Sequence, residues 1–201
     1  MRPDDPPLRL TPPVLVVVAH PDDETVGAGA LLSRLQDVWI VHATDGAPRD
    51  GRFRTFRGTR EKYARVRREE LKAAMALAGI GPDRLLTLGA ADQEAVFEIP
   101  RLAREIAKLV RDLQPATVLT LAYEGGHPDH DAVALATRIA VREIPLVEMP
   151  LYHAEAERMV IGQFLSGPGE IRLELSEPER DLKRRMIAVF TTQKETLRAF
   201  L

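Results

Sequence analysis

The chain is expected to fold as a single α/β domain, a Rossmann-like, doubly wound, mostly parallel sheet with helices on both faces. Three observations predict this. Short strand-like runs alternate with longer segments of helical periodicity through most of the 201 residues, the pattern of repeated strand–helix–strand units. The first run, Val14–Ala19, is continuously apolar and rich in valine, which suits a strand covered on both faces. A composition of 45% hydrophobic and 29% charged residues, with no linker that would divide the chain, fits one core of ordinary size.

Residues 1–13 are polar and proline-rich and read as an extended arm leading into a domain over 14–201. After Val14–Ala19 come His20-Pro21-Asp22-Asp23-Glu24 and a helix over Thr25–Leu35, whose small residues Gly27, Ala28, Gly29 and Ala30 suit close packing on the sheet. Asp37–Ala43 is the second strand, ending at Thr44-Asp45-Gly46. A polar loop, Ala47–Arg60, carries Arg49, Arg52, Arg54, Arg57 and Arg60. The next helix, about Lys62–Ala78, stops at Gly79. Leu85–Leu88 is a third strand and Gly89–Phe97 a loop. Ile99, Leu102, Ile106, Leu109, Val110 and Leu113 have helical spacing, and Thr117–Leu121 is a fourth strand. A helix over about Asp131–Arg142 and a fifth strand over Leu146–Leu151 follow. Met159–Leu165 and Ile171–Leu175 are expected as short strands, and Pro178–Phe200 as a closing helix with charged faces.

With Lys+Arg 28 against Asp+Glu 30, the formal net charge is −2. Nothing in that balance points to a nucleic-acid partner. No apolar run approaches the length of a membrane span and the N-terminus lacks an apolar signal core, so a cytoplasmic location is expected. There is no cysteine. Disulfides, thiolate ligands and a cysteine nucleophile are thereby excluded, and any metal must be held by histidine and carboxylate.

Two clusters carry the chemistry. His20-Pro21-Asp22-Asp23 follows the first strand and His127-Pro128-Asp129-His130 follows the fourth. In the strand order 3-2-1-4 those strands are neighbours at the switch point, where ligands bind beyond the carboxyl ends. Residues three apart on a turn entering a helix share a side, and the proline in each cluster stiffens it. His20, Asp23 and His130 would make a two-His, one-carboxylate site for one divalent ion per chain, zinc by default with another divalent ion as the alternative. Asp22 is then free to take a proton from metal-activated water. His127 is suited to protonate a leaving amine or to stabilise an oxyanion, and Asp129 to orient one of the histidines.

Ala19-His20-Pro21-Asp22-Asp23-Glu24 and Gly125-Gly126-His127-Pro128-Asp129-His130 resemble the two signatures of the PIG-L/LmbE-like superfamily of zinc-dependent de-N-acetylases. Weaker features recur in the same order: Thr44-Asp45-Gly46, Arg67-Arg68-Glu69-Glu70-Leu71 and Asp92. The resemblance implies hydrolysis of the N-acetyl group of an amino sugar. It assigns His20, Asp23 and His130 to zinc, Asp22 to the general base, and His127 with Asp129 beside it to the acid or oxyanion role. It also implies that Arg67 and, less directly, Asp92 contact a small N-acetylated sugar. Phe190-Thr191-Thr192-Gln193 stands where members often have histidine followed by Ser-Gln in the last helix. Homo-oligomers are compatible with this reading. A metal-dependent ester or phosphoester hydrolase is the alternative, with the arginine loop gripping phosphate.

Other residues have plainer roles. Glu24 complements the helix N-terminus, with a supporting role at the site as the alternative. Asp45 either lines the site or caps its turn. His42 packs in or beside a strand, Trp39 belongs to the core, and His153, after the fifth strand, is an ordinary surface or core histidine, with a place facing the site as the alternative. Arg68, Lys72 and the charges over Glu179–Arg185 are expected on solvated helix faces.

Overall fold

The computed structural model describes residues 10–51, 56–156, 158–165 and 169–200. Most of the expected arm (1–9), together with Arg52 and Arg54, lies outside the described residues. In chain order the elements are β1 (Val14–Val18), α1 (Asp23–Leu32), β2 (Val38–Pro48), α2 (Arg60–Leu77), β3 (Leu85–Asp92), α3 (Ile99–Leu113), β4 (Thr117–Leu121) and α4 (Pro128–Ala140). They continue as β5 (Leu146–Met149), β6 (Tyr152–Glu155), β7 (Arg158–Ile161), α5 (Glu177–Val189) and α6 (Lys194–Leu197).

Five strands form one sheet in the order β3-β2-β1-β4-β5, with every pair parallel. β1 is central and all five of its side chains are fully buried, which is why its sequence shows no polar alternation. Crossovers between parallel strands of one sheet are right-handed as a rule. The chain steps outward from β1 to β3 and then returns past β1 to β4, so α1 and α2 cover one face and α3 and α4 the other. α5 packs against both α1 and α2. Gly27 lets α1 close on the sheet edge: a Cβ there would lie 2.6 Å from Met149 Sδ. The described end of the arm is tied to β4, where Thr11 and Thr117 exchange two hydrogen bonds of 3.0 Å.

Several boundaries differ from expectation for identifiable reasons. α1 and α4 begin earlier, at Asp23 and Pro128. The cluster residues are themselves the first helical turns, with Pro128 suited to the start because its missing N–H is not needed there. β2 runs on through Thr44-Asp45-Gly46 to Pro48, and β3 on to Asp92, with register irregularities between them. The expected fifth strand ends at Met149, and Tyr152–Glu155 pairs antiparallel with Arg158–Ile161 in a separate hairpin. Ile171–Leu175 is not a strand. The closing helix stops at Val189 and gives way to short turns and α6. Trp39 is only partly buried, with the Arg84 guanidinium 4.4 Å from its ring centre. Arg68 is not simply solvated, since it donates to the Leu85 carbonyl.

Candidate active site

The tight turn after β1 is built by its own side chains. Asp23 Oδ2 accepts the Ala19 and His20 amides at 3.1 and 2.8 Å. This fixes Asp23 at the start of α1 and leaves Oδ1 directed at His130 Nε2, 3.2 Å away. Asp22 precedes the helix with φ 156 and ψ −24, outside the regions an L-residue favours. Such a conformation costs of order 1–3 kcal/mol and persists only where the surroundings hold it. It turns the Asp22 carboxylate away from the helix amides and into the site, where Arg67 Nη2 donates to it at 3.1 Å.

The second cluster is anchored across the sheet. Asp129 is fully buried, with Oδ2 accepting the Gln93 amide at 2.6 Å and Oδ1 the Ala95 amide at 3.0 Å. Oδ2 also meets His20 Nε2 at 3.2 Å, and Asp92 Oδ1 meets the same nitrogen at 3.1 Å. These carboxylates hold His20 by Nε2, and Nδ1 faces Asp23 Oδ2, 3.4 Å away. His127 caps α4 by accepting the Asp129 amide on Nδ1 at 3.1 Å. Its ring proton is therefore assigned to Nε2. The ring packs edge-on to His20, with centroids 4.8 Å apart.

Seven of the eight predicted site residues, His20, Asp22, Asp23, Arg67, Asp92, His127 and His130, line one cavity of about 130 Å³. Asp129 lies behind His20. Arg67 is buried beneath Asp22 and is occupied by the Pro21 and Gly46 carbonyls at 2.9 and 3.2 Å. It thus grips the turn as well as facing the cavity. A larger void, about 540 Å³, is bordered by α1, β5 and residues 162–164 and 170–173 and contains none of these groups. The opposite wall was not legible in the sequence: Tyr152, Gln193, Thr196, Leu197 and Phe200 line it. The last four are brought there because Glu70 accepts three hydrogen bonds from Thr191 and Thr192, and Gln193 donates to the Tyr63 hydroxyl. Only the unusual Phe190-Thr191-Thr192-Gln193 stretch marked that region. Asp45 caps its turn by accepting the Ala47 amide and pairs with Arg60. Arg49 pairs with Glu94. Arg49 and Arg60 of the arginine loop are thus paired with acids outside it. His153 is buried against Glu124.

Electrostatics separates the groups. Burial raises the Asp22 carboxyl to about 7 against the opposing pull of Arg67, with Asp23 adding to the rise. Burial also acts to raise Asp23, but His130 and His20 hold it well below the usual carboxylate range. Burial alone would lower His20, yet Asp23, Asp129 and Asp92 raise it well above the ordinary histidine value. His127 is pushed down to about 4, first by burial and then by its histidine neighbours. It is a neutral donor at neutral pH.

His20, Asp23 and His130 are donor types that a divalent ion takes where cysteine is absent, and Asp23 stands between the two histidines. Asp23 Oδ1 and His130 Nε2 lie 3.2 Å apart, and His20 Nδ1 and Asp23 Oδ2 lie 3.4 Å apart. Tetrahedral zinc ligands at about 2.0–2.1 Å are separated by roughly 3.3 Å. Two groupings bring one donor atom from each of three residues within 4.8 Å of one another: His20 with His127 and His130, and His20 with Asp92 and Asp129; Asp23 is in neither. Backbone amides already donate to Asp129, to His127 Nδ1 and to Asp23 Oδ2 alike, and Asp23 Oδ1 is left facing His130.

Residues 15–141 match the family model described as PIG-L, GlcNAc-PI de-N-acetylase. A probable N-acetyl-α-D-glucosaminyl L-malate deacetylase 2 from Bacillus cereus is 35% identical over 71% of this chain and 67% of its own length. The corresponding proteins of Bacillus anthracis and Bacillus subtilis are matched over 65% and 56% of their lengths, so the chain spans about two thirds or less of these relatives. Among solved structures, a deacetylase of the teicoplanin biosynthesis pathway superposes with a TM-score of 0.72 at 18% identity, over 92% of this chain and 86% of that one. The 4-carboxy-2-hydroxymuconate hydratase of Pseudomonas putida superposes with a TM-score of 0.57 at 18% identity, over 93% and 81%. At such identities these structures speak for the fold alone. No helix among the described residues is long and apolar enough to cross a membrane.

Proposed function

The chain belongs to the PIG-L (GlcNAc-PI de-N-acetylase) family, and from that premise we propose that it hydrolyses the N-acetyl group of a GlcNAc-type amino sugar or a related small molecule. The proposed catalytic domain is 14–201, with one zinc ion held by His20, Asp23 and His130. When bound, the ion supplies Lewis acidity toward the amide carbonyl and acidifies water beside it.

The rest is the work of side chains. Asp22, poised near neutrality, takes the proton of the attacking water. Arg67 holds the turn that carries Asp22 and keeps its carboxylate form accessible. The Nε2–H of His127 is a donor for the oxygen that gains negative charge as the carbonyl is attacked. Because His127 is neutral, it serves that role better than it serves as a resident acid. The proton that the departing amine needs comes back from Asp22. Asp129 holds His20 by Nε2 and ties the β3 end to α4.

The observation that carries this reading is the convergence, in one small cavity, of a carboxyl raised to about 7 and a neutral imidazole donor beside a two-His, one-Asp donor set. A cavity of about 130 Å³ admits an acetamide and leaves the sugar toward the opening. The test is acetate release by the zinc-loaded protein from a panel of N-acetylated amino sugars, run beside phosphate and carboxylate esters. Turnover of the esters with no acetate from any sugar would sink the proposal.

A further inference from the structure

We propose that Glu24, braced by His42, is the positioning residue for Asp22. The Asp22 amide donates to two acceptors, the His20 carbonyl at 3.0 Å and Glu24 Oε2 at 3.1 Å. The first belongs to the turn itself. The second comes from a side chain with no exposed surface. Glu24 is held in turn by two groups. Thr25 Oγ1 donates to Oε1 at 2.6 Å, and His42 Nε2 meets Oε2 at 2.9 Å. His42 is 1% exposed and belongs to β2, paired in register with Val18 at the end of β1. Its Nδ1 is buried without a partner, so the ring's one hydrogen bond is the one to Glu24, and its proton sits on the nitrogen that faces the carboxylate.

The chain of contact runs from the rigid sheet through His42 and Glu24 to the backbone of a residue in an unfavourable conformation. Asp22 has no side-chain bond to its own helix start, because its carboxylate is directed at Arg67 and the cavity. Something must therefore hold the backbone, and Glu24 is placed to do so. A carboxylate that merely favoured the positive end of α1 would do so equally well exposed to water. Full burial with three partners on two oxygens is the arrangement of a group whose position is fixed. Misplacing a reacting group by about 1 Å costs on the order of 100-fold in rate, so releasing Asp22 acts on the chemical step and not on ligand binding.

This inference rests on Asp22 being the base, and the experiment separates the two ideas. Glu24→Ala, Glu24→Gln and His42→Gln are prepared with zinc. Zinc per chain, kcat and KM on an N-acetylated amino sugar, and the Asp22 amide resonance in the zinc-free protein are measured. The expected result is a fall in kcat of at least about tenfold in Glu24→Ala with KM within about threefold. Zinc stays at one per chain and the Asp22 amide resonance moves. Glu24→Gln, which keeps an acceptor toward the Asp22 amide, recovers most of the loss, and His42→Gln falls between. A loss of kcat that tracks loss of zinc, or an Asp22 amide unmoved in Glu24→Ala, overturns the positioning role. Should Glu24→Ala not fold, His42→Gln and the amide resonance decide alone. If the wild-type chain releases no acetate from any sugar, the functional reading fails while the amide resonance still decides whether Glu24 holds Asp22.

Discussion

Asp22 and Asp23 are adjacent and equally buried, at 7% and 5% exposure, yet one is raised to about 7 and the other held far below the usual range. The difference is in their neighbours. Asp23 has two histidines and two backbone amides, whereas Asp22 has one arginine and a cavity. Asp22→Asn is therefore expected to lower kcat by about 10²- to 10⁴-fold while keeping zinc, whereas Asp23→Asn should lose zinc itself; metal analysis beside kinetics distinguishes the two. The pH dependence follows from the same contacts. The base is the carboxylate form, so kcat/KM rises with pH through the Asp22 pKa. A bound cation favours that form, so the acid limb of the loaded enzyme lies below 7. Removing the Arg67 charge disfavours the carboxylate and must move the limb upward, by about one unit in Arg67→Gln; a limb that moves down would contradict the pairing. At this scale the sequence was unusually legible, because the chemistry is packed into two short runs with fixed spacing. Tyr152, Thr196 and Phe200 were not legible, because nothing local marks a residue that reaches the site only through tertiary packing.

The elements deliver these residues by their ends. α1 and α4 start on the clusters, and β3 runs on to Asp92, so the motifs are first turns and strand termini, not loops. Propensity could not reveal this, since the residues at the two helix starts are those of the proposed site. Gly126 shows how little slack the second motif has. A Cβ there would lie 1.9 Å from the Tyr152 carbonyl oxygen, a backbone atom that cannot move aside, while buried Glu124 holds the Leu151 and Tyr152 amides from the same loop. Gly126→Ala should therefore displace His127 and His130 together. Zinc affinity and kcat fall in step, unlike in Asp22→Asn, and zinc titration of the purified variant reads this directly. The C-terminal wall depends on a different element contact. Glu70→Ala leaves the Thr191 and Thr192 donors unpaired, at a cost of about 1–3 kcal/mol, and should raise KM far more than it alters zinc binding. Hydrogen exchange over 191–200 would show whether that segment has been released. A single long helix over Pro178–Phe200 was the natural reading of the sequence, and Phe190 breaks it. Its side chain is 1% exposed, and burying it turns the following residues toward the site.

At the scale of the whole molecule, the strand order accounts for the meeting of residues about a hundred positions apart. β1 and β4 are neighbours at the point where the chain reverses its direction across the sheet, and both clusters lie beyond their carboxyl ends. That much followed from the alternation of strands and helices. The reaction did not, because the same fold accommodates a hydratase, and function has to be argued from the site. With the proposed ligands, a bound ion would also tie the two layers of helices together. α1, on one face, contributes Asp23, and α4, on the other, contributes His130; β1 carries His20 between them. An ion that binds only this assembled set stabilises the folded chain by about 4 kcal/mol when present at a thousandfold excess over its dissociation constant. For a chain of this size that corresponds to roughly 10 °C in Tm. Chelation should lower Tm by about this amount in a single cooperative transition, and added zinc should restore it. Asp22→Asn should keep the full response, because it leaves the donor set intact. Asp23→Asn and His130→Gln should show almost none. A chelator response of equal size in Asp23→Asn would mean that the ion binds elsewhere, and that the union of the two clusters serves packing and not metal binding.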